Sequence, residues 1–129
     1  MKLKYLNDMI LGFKERFKQP ILDGTKIHTI REDKANRWKA GRVIQFATGV
    51  RTKSYTKFNE GVCEGTQEIE IRWEENVVFP EVYVNGEELN YHDMILLAEN
   101  DGFNTLTEFC KWFLSDFKGR IIHWTDFIY

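Results

Sequence analysis

Proline occurs only twice in the 129 residues, at Pro20 and Pro80, and cysteine only twice, at Cys63 and Cys110. So little proline, with no Gly/Ser-rich stretch, leaves no linker at which to divide the chain, and residues 1–129 read as one domain. Two cysteines outside any CxxC or Cys/His cluster exclude a disulfide framework and read as reduced, buried thiols. The three histidines, His28, His92 and His123, form no HxH or HxxxH pair, so no metal site and no cofactor is expected. No stretch approaches the ~20 apolar residues of a membrane span, and the opening MKLKYLNDMILGFKER lacks a signal-peptide core. A soluble, cytoplasmic protein is the expectation.

Aromatic residues, by contrast, make up 15% of the chain, including ten Phe and four Trp, enough to build a core. The net charge of −2 hides an uneven layout: residues 1–60 carry 14 Lys+Arg against 6 Asp+Glu, and residues 61–129 carry 4 against 14. The basic residues between Lys26 and Lys57 either form one positive face suited to phosphate or are neutralised across the fold.

Residues Tyr5–Phe17 place Leu6, Met9, Ile10, Phe13 and Phe17 at helical spacing. Their latter part is equally a strand, followed by a short helix near Glu15–Asp23 stopped by Gly24. Strands are expected at Thr25–Arg31, Arg42–Thr48, Arg51–Phe58 and Gln67–Trp73, the last from strict alternation. Val77–Leu89 reads as a hairpin turning at Asn85-Gly86. Tyr91–Asn100 reads as a helix broken by Asp101-Gly102. A capping box at Thr105–Glu108 opens a second helix running to about Phe117 and stopping at Gly119, and Arg120–Tyr129 is a closing strand. The pattern predicts an α+β fold, a small curved mixed sheet or barrel with short flanking helices.

The chemistry concentrates in QPILDGTKIHTIR, residues 19–31. A lysine and a hydroxyl held together in a pocket can bind an anion or supply an activated nucleophile. In an ideal strand Lys26 and Thr29 face opposite ways, so a shared site needs a turn or bulge just after Gly24.

FKERFKQPILDGTKIHTIRED, then KAGRVIQF, then AENDGF before a capped aromatic helix, resemble the ASCH domain family of PUA-like folds, over roughly Phe13–Tyr129. The resemblance implies a PUA-like curved sheet or pseudo-barrel with a cleft near Gly24 and Lys26, and recognition of RNA or a nucleotide. The ILxGxKxxTIR stretch also resembles that of small bacterial acetylcytidine amidohydrolases. That likeness places Lys26 and Thr29 on their lysine and threonine nucleophile, with Asp101 on or near their glutamate. Asp101 is one methylene shorter than that glutamate, and this chain has extra length at Thr52–Glu60 and Glu74–Leu89.

Three functions remain open at this point: RNA or nucleotide recognition by a basic cleft, hydrolysis of an acylated cytidine, and a non-catalytic interaction domain. Candidate catalytic residues are Lys26, Thr29 and Asp101. Candidate ligand-binding residues are Gly24, His28, Arg31, Arg37, Trp38, Arg51 and Trp124. Each has a plain structural alternative: Arg31 in an ion pair with Asp101 or Glu32, Trp38 as a loop anchor, Asp101-Gly102 as a turn, and Arg51, Lys53 and Lys57 as a solvated strand face.

Overall fold

A computed structural model describes residues 8–129. Met9, Leu11 and Phe13 turn toward the core from an extended strand, β1 (Asp8–Phe13), so the strand reading of this segment holds and the helical one does not. The reason is tertiary: β1 lies parallel to β3 (Val43–Thr48), in a register that sets Leu11 beside Phe46 and Phe13 beside Thr48. The expected helical residues Tyr5–Asn7 fall outside the described range. A single 3-10 turn (Glu15–Phe17) leads into helix α1 (Lys18–Asp23), which Gly24 ends in the left-handed conformation at φ 83°.

Two separate sheets follow. The first has the order β1-β3-β4, with β4 (Thr56–Val62) antiparallel to β3. The second has the order β2-β8-β5-β6-β7 and is antiparallel throughout: β2 (His28–Arg31), β5 (Gly65–Arg72), β6 (Glu81–Val84), β7 (Glu87–Glu88) and β8 (Phe117–His123). The chain passes from one sheet to the other at Cys63-Glu64. The Cys63 N–H still donates to Arg42 O, while the Glu64 N–H already donates to His123 O, both at 2.8 Å. The eight strands are thus joined at a corner, and among the described residues no closed barrel forms.

The third predicted strand is displaced. Residues 51–55 form a turn with Arg51 at φ 66°, and the strand begins only at Thr56. Arg51 and Lys53 therefore do not alternate along a strand with Lys57, which pairs with Glu60 at 2.7 Å. The hairpin of β6 and β7 does turn at Asn85-Gly86, with φ of 50° and 82°, the left-handed pair that a two-residue loop requires.

Helix α2 (Tyr91–Asn100) has the expected bounds, capped by Asn90, whose side chain accepts from the Asp93 N–H at 2.8 Å. Helix α3 (Leu106–Trp112) is capped by the Thr105 hydroxyl, accepting from the Glu108 N–H at 3.1 Å. The Glu108 carboxylate turns toward Arg16, 3.8 Å away, so only half of the capping box forms. The helix stops five residues before the expected Phe117. Phe117 is instead paired with Ile71 in the β5–β8 ladder, and Phe113 O accepts from the Trp73 indole at 2.8 Å. The core joins both sheets to the helices through Ile44, Phe46, Ile71, Leu97, Phe109 and Ile121. No helix among the described residues is long and apolar enough to cross a membrane.

Candidate functional site

Lys26 is not on a strand. After Gly24 the chain turns, with the Thr25 and Lys26 N–H groups both donating to Pro20 O at 3.0 Å, and β2 begins only at His28. This turn resolves the parity problem: Lys26 and Thr29 line the same cleft although an ideal strand would oppose them. The Ile27 N–H donates to Asn100 O at 2.9 Å, pinning the segment against the end of α2 and so beside Asp101.

The Lys26 side chain is 2% exposed. Its Nζ donates to Asp101 O at 2.6 Å and to Asp101 Oδ1 at 3.3 Å, and it lies 4.8 Å from the Phe17 ring centroid. Burial pulls the Lys26 pKa below its ordinary value, while the Asp101 carboxylate works in the opposite direction. Gly102 makes this packing possible. It sits at φ 94°, and a Cβ there would lie 2.9 Å from Lys26 Cδ and 3.1 Å from Phe17 Cδ1.

Thr29, 5% exposed, accepts a hydrogen bond from Arg31 Nε at 3.2 Å. Arg31 also donates through Nη2 to Gly12 O at 2.6 Å, and its guanidinium lies 4.9 Å from the Phe13 ring centroid. Neither structural partner expected for Arg31, Asp101 or Glu32, receives it. It is tied to the nucleophile candidate and to β1.

Lys26, Thr29, Arg31 and Asp101 share a cleft of about 920 Å³, walled by Phe13, Phe17, Phe103 and Trp112 and by Thr48–Val50 at the end of β3. That is within the usual range for small-molecule sites. Trp112, 44% exposed, is the aromatic residue at the cleft that is most open to solvent.

The remaining candidates lie elsewhere. Trp38 is buried in the core, the anchoring outcome, and Arg37 is exposed on a loop held by the Asp33 carboxylate. Arg51 is in the β3–β4 turn, outside the cleft lining. Trp124 packs edge-on against Phe46 and Phe13, at 4.8 and 6.2 Å between ring centroids. Gly24 serves as a helix stop.

His28 is wholly buried and is not part of the cleft lining. Its Nδ1 lies 3.1 Å from Asp101 Oδ1 and its Nε2 lies 2.6 Å from the Tyr129 hydroxyl. Burial lowers its pKa and so disfavours the charged imidazolium, while the Asp101 carboxylate works in the opposite direction. Tyr129 and Asn100, which complete this cluster, escaped sequence reasoning because a Tyr and an Asn carry no local signal. Next to them, His123 Nε2 donates to Gln67 Oε1 at 2.9 Å, and burial depresses its pKa to about 4. Among the described residues no group of three or more His, Cys, Asp or Glu is placed to hold a metal ion.

Chemically, the cleft offers a buried ammonium–carboxylate pair, a hydroxyl supported by a guanidinium, and an aromatic wall. No family model, no curated protein and no solved structure matches this chain, so what the cleft does follows only from the groups that line it.

Proposed function

We propose that the cleft binds a nucleoside and hydrolyses an amide on its base, with the chain a member of the ASCH family of PUA-like folds. The observation that carries this reading is the convergence of Lys26, Thr29 and Asp101 on one cleft with room for a nucleoside, although Lys26 and Asp101 are 75 residues apart in sequence. The aromatic wall of Phe13, Phe17, Phe103 and Trp112 suits a flat base.

In this mechanism Thr29 Oγ1 attacks the amide carbonyl of an acylated cytidine, and its proton passes to Lys26 in the minor neutral-amine form that is in equilibrium with the resting ammonium. Burial of Lys26 favours that form. The Arg31 Nε–H bond to Oγ1 stabilises negative charge as it develops on the attacking oxygen. The resulting ammonium returns the proton to the departing amino group of the base, releasing cytidine. Water then hydrolyses the threonine ester and frees the acid. Asp101 holds Lys26 in place by its carboxylate and its backbone carbonyl.

A second reading, recognition of RNA without chemistry, is favoured by one observation. The exposed turn carrying Arg51 and Lys53 lies beside Gly49, Val50 and Ser54, which line the cleft, so a phosphate backbone leaving the cleft would meet positive charge.

The test is incubation with N4-acetylcytidine, with released cytidine followed by chromatography. Release is expected from the unaltered protein, is lost in Thr29→Ala and partly kept in Thr29→Ser. No release above the Thr29→Ala background removes the hydrolase reading for this substrate, and salt-dependent binding of single-stranded RNA then decides the second one.

A further inference from the structure

Behind the cleft, Asn100, Tyr129, His28 and Asp101 form a directed chain of hydrogen bonds. The Asn100 side-chain amide donates to the Tyr129 hydroxyl oxygen at 3.0 Å. Asp101 Oδ1 is a carboxylate oxygen that accepts, so His28 Nδ1, 3.1 Å from it, is the donor, and the Tyr129 hydroxyl proton is left to point to Nε2, 2.6 Å away. Nε2 is then an acceptor, and the neutral ring carries its proton on Nδ1. The Nδ1–H faces Asp101 Oδ1 at 3.1 Å, the same oxygen that receives Lys26 Nζ at 3.3 Å. Asp101 Oδ1 is thereby the terminal acceptor of the chain. Its two ends are sequence neighbours at the C-terminal end of α2, Asn100 and the capping Asp101, so the imidazole and the phenol are held in a closed loop.

The other side of the ring offers no competing charge. His123 lies 5.4 Å away between ring centroids, edge to face, and is itself neutral, with its Nε2–H given to Gln67. Tyr129 is fixed independently of its side chain. Its N–H donates to Gln67 Oε1 and its carbonyl accepts from Gln67 Nε2, both at 3.0 Å. A side chain anchored at both backbone groups and at its hydroxyl has little freedom to leave the imidazole.

We propose that His28, braced by Tyr129, is a positioning residue: it fixes the Asp101 carboxylate in the orientation that holds the Lys26 amine at the cleft. Its imidazole does not itself line the cleft and acts through Asp101, which does. The inference deepens the reading of the cleft as a ligand site and rests on it, yet its first test needs no ligand.

That test is nitrogen-15 NMR of the histidine rings and lysine amines, on protein whose thermal melt has been checked. His28 is expected as the Nδ1–H tautomer at neutral pH; an Nε2–H or doubly protonated ring overturns the proposal. In His28→Leu the Lys26 titration midpoint is expected to fall further, by roughly tenfold in proton affinity, the scale of one charge-assisted hydrogen bond. His28→Asn, which keeps a donor where Nδ1 stood, should restore it. An unchanged or raised midpoint in His28→Leu, or no rescue by His28→Asn, refutes the positioning role. If His28→Leu does not fold, Tyr129→Phe is put through the same titration, with a smaller fall expected and no fall refuting.

In the hydrolysis assay the same variants should lower kcat with KM little changed, because the nucleoside contacts are intact. Absence of hydrolysis in the unaltered protein would sink the hydrolase reading and leave the tautomer and titration results to decide the positioning role separately.

Discussion

Replacing Asp101 by Asn removes one charge from the centre of the molecule while keeping its shape. The Lys26 Nζ is 3.3 Å from the carboxylate oxygen, and both side chains are no more than 5% exposed. At an effective dielectric of 20 the attraction at that distance is about 5 kcal/mol. Most of it offsets the cost of bringing the two charges out of water. Breaking a buried pair by removing one partner costs about 3–5 kcal/mol, because the other charge is left uncompensated. Asp101→Asn should fall at the lower end, about 3 kcal/mol at pH 7. The backbone carbonyl of residue 101 still accepts from Lys26 at 2.6 Å, and the amide oxygen can still accept from His28. The loss should shrink as pH rises. A lysine whose pKa is lower folded than unfolded binds protons less well in the native state, so stability increases from that lowered pKa up to the ordinary value near 10.5. Without Asp101 the lowering is deeper, so the rise starts at lower pH and is larger. The assay is urea unfolding at pH 7 and pH 9 for the unaltered protein, Asp101→Asn, Lys26→Met and the double variant. The double variant should recover at least half of the summed single losses, since an apolar replacement of both partners leaves no orphaned charge. A cost below about 1 kcal/mol for Asp101→Asn, or simple additivity in the cycle, would show that the two groups are not a buried charged pair.

Gly102→Ala should destabilise by about 1–3 kcal/mol, through its left-handed backbone and the collision of the new methyl with Lys26 Cδ, and chemical denaturation will read it. Thr105→Ala removes the hydroxyl that accepts from the Glu108 N–H and should cost about 1 kcal/mol, seen as a lowered melting temperature. His123 is neutral when folded down to about pH 4 but accepts a proton near 6.5 when unfolded, so stability is lost as pH falls through that interval. The full loss from this group is about 3 kcal/mol at 1.36 kcal/mol per pH unit. Replacing His123 by Leu should flatten that part of the stability–pH curve, and a curve of unchanged slope would count against a buried neutral imidazole.

Signals that depend on a few neighbouring residues were legible in the sequence. The Asn85-Gly86 turn, the Tyr91–Asn100 helix and the Thr105 cap are all local chemistry, and the structure has each of them. Elements decided by distant partners were harder to read. Met9, Ile10, Phe13 and Phe17 satisfy a helical period, yet a parallel neighbour 35 residues later draws β1 into a sheet, as in the Leu11–Phe46 register. Phe117 suits a helix until Ile71 offers it a ladder. The candidate site divides in the same way. Lys26, Thr29 and Arg31 lie within six residues and were legible as a motif, and Asp101 was reachable only through the family resemblance. Tyr129 and Asn100 were invisible because their role exists only after β2 and β8 have paired. Trp38 and Arg51 misled because a basic or aromatic loop residue looks the same in sequence whether it faces a ligand, the core or open solvent.

The antiparallel pairing of β2 with β8 also sets the order in which the protein can be assembled. Everything the three-stranded sheet needs lies within residues 8–62, so it has all its partners early in synthesis. Strand β2 emerges with them but cannot pair until residues 117–123 appear, and His28 waits 101 residues for the Tyr129 hydroxyl. Such long-range closure is slow, because the chain entropy must be lost before the contacts form. During that interval the segment bearing Lys26, Thr29 and Arg31 is an unpaired edge rich in β-branched residues, the kind of surface a chaperone would hold.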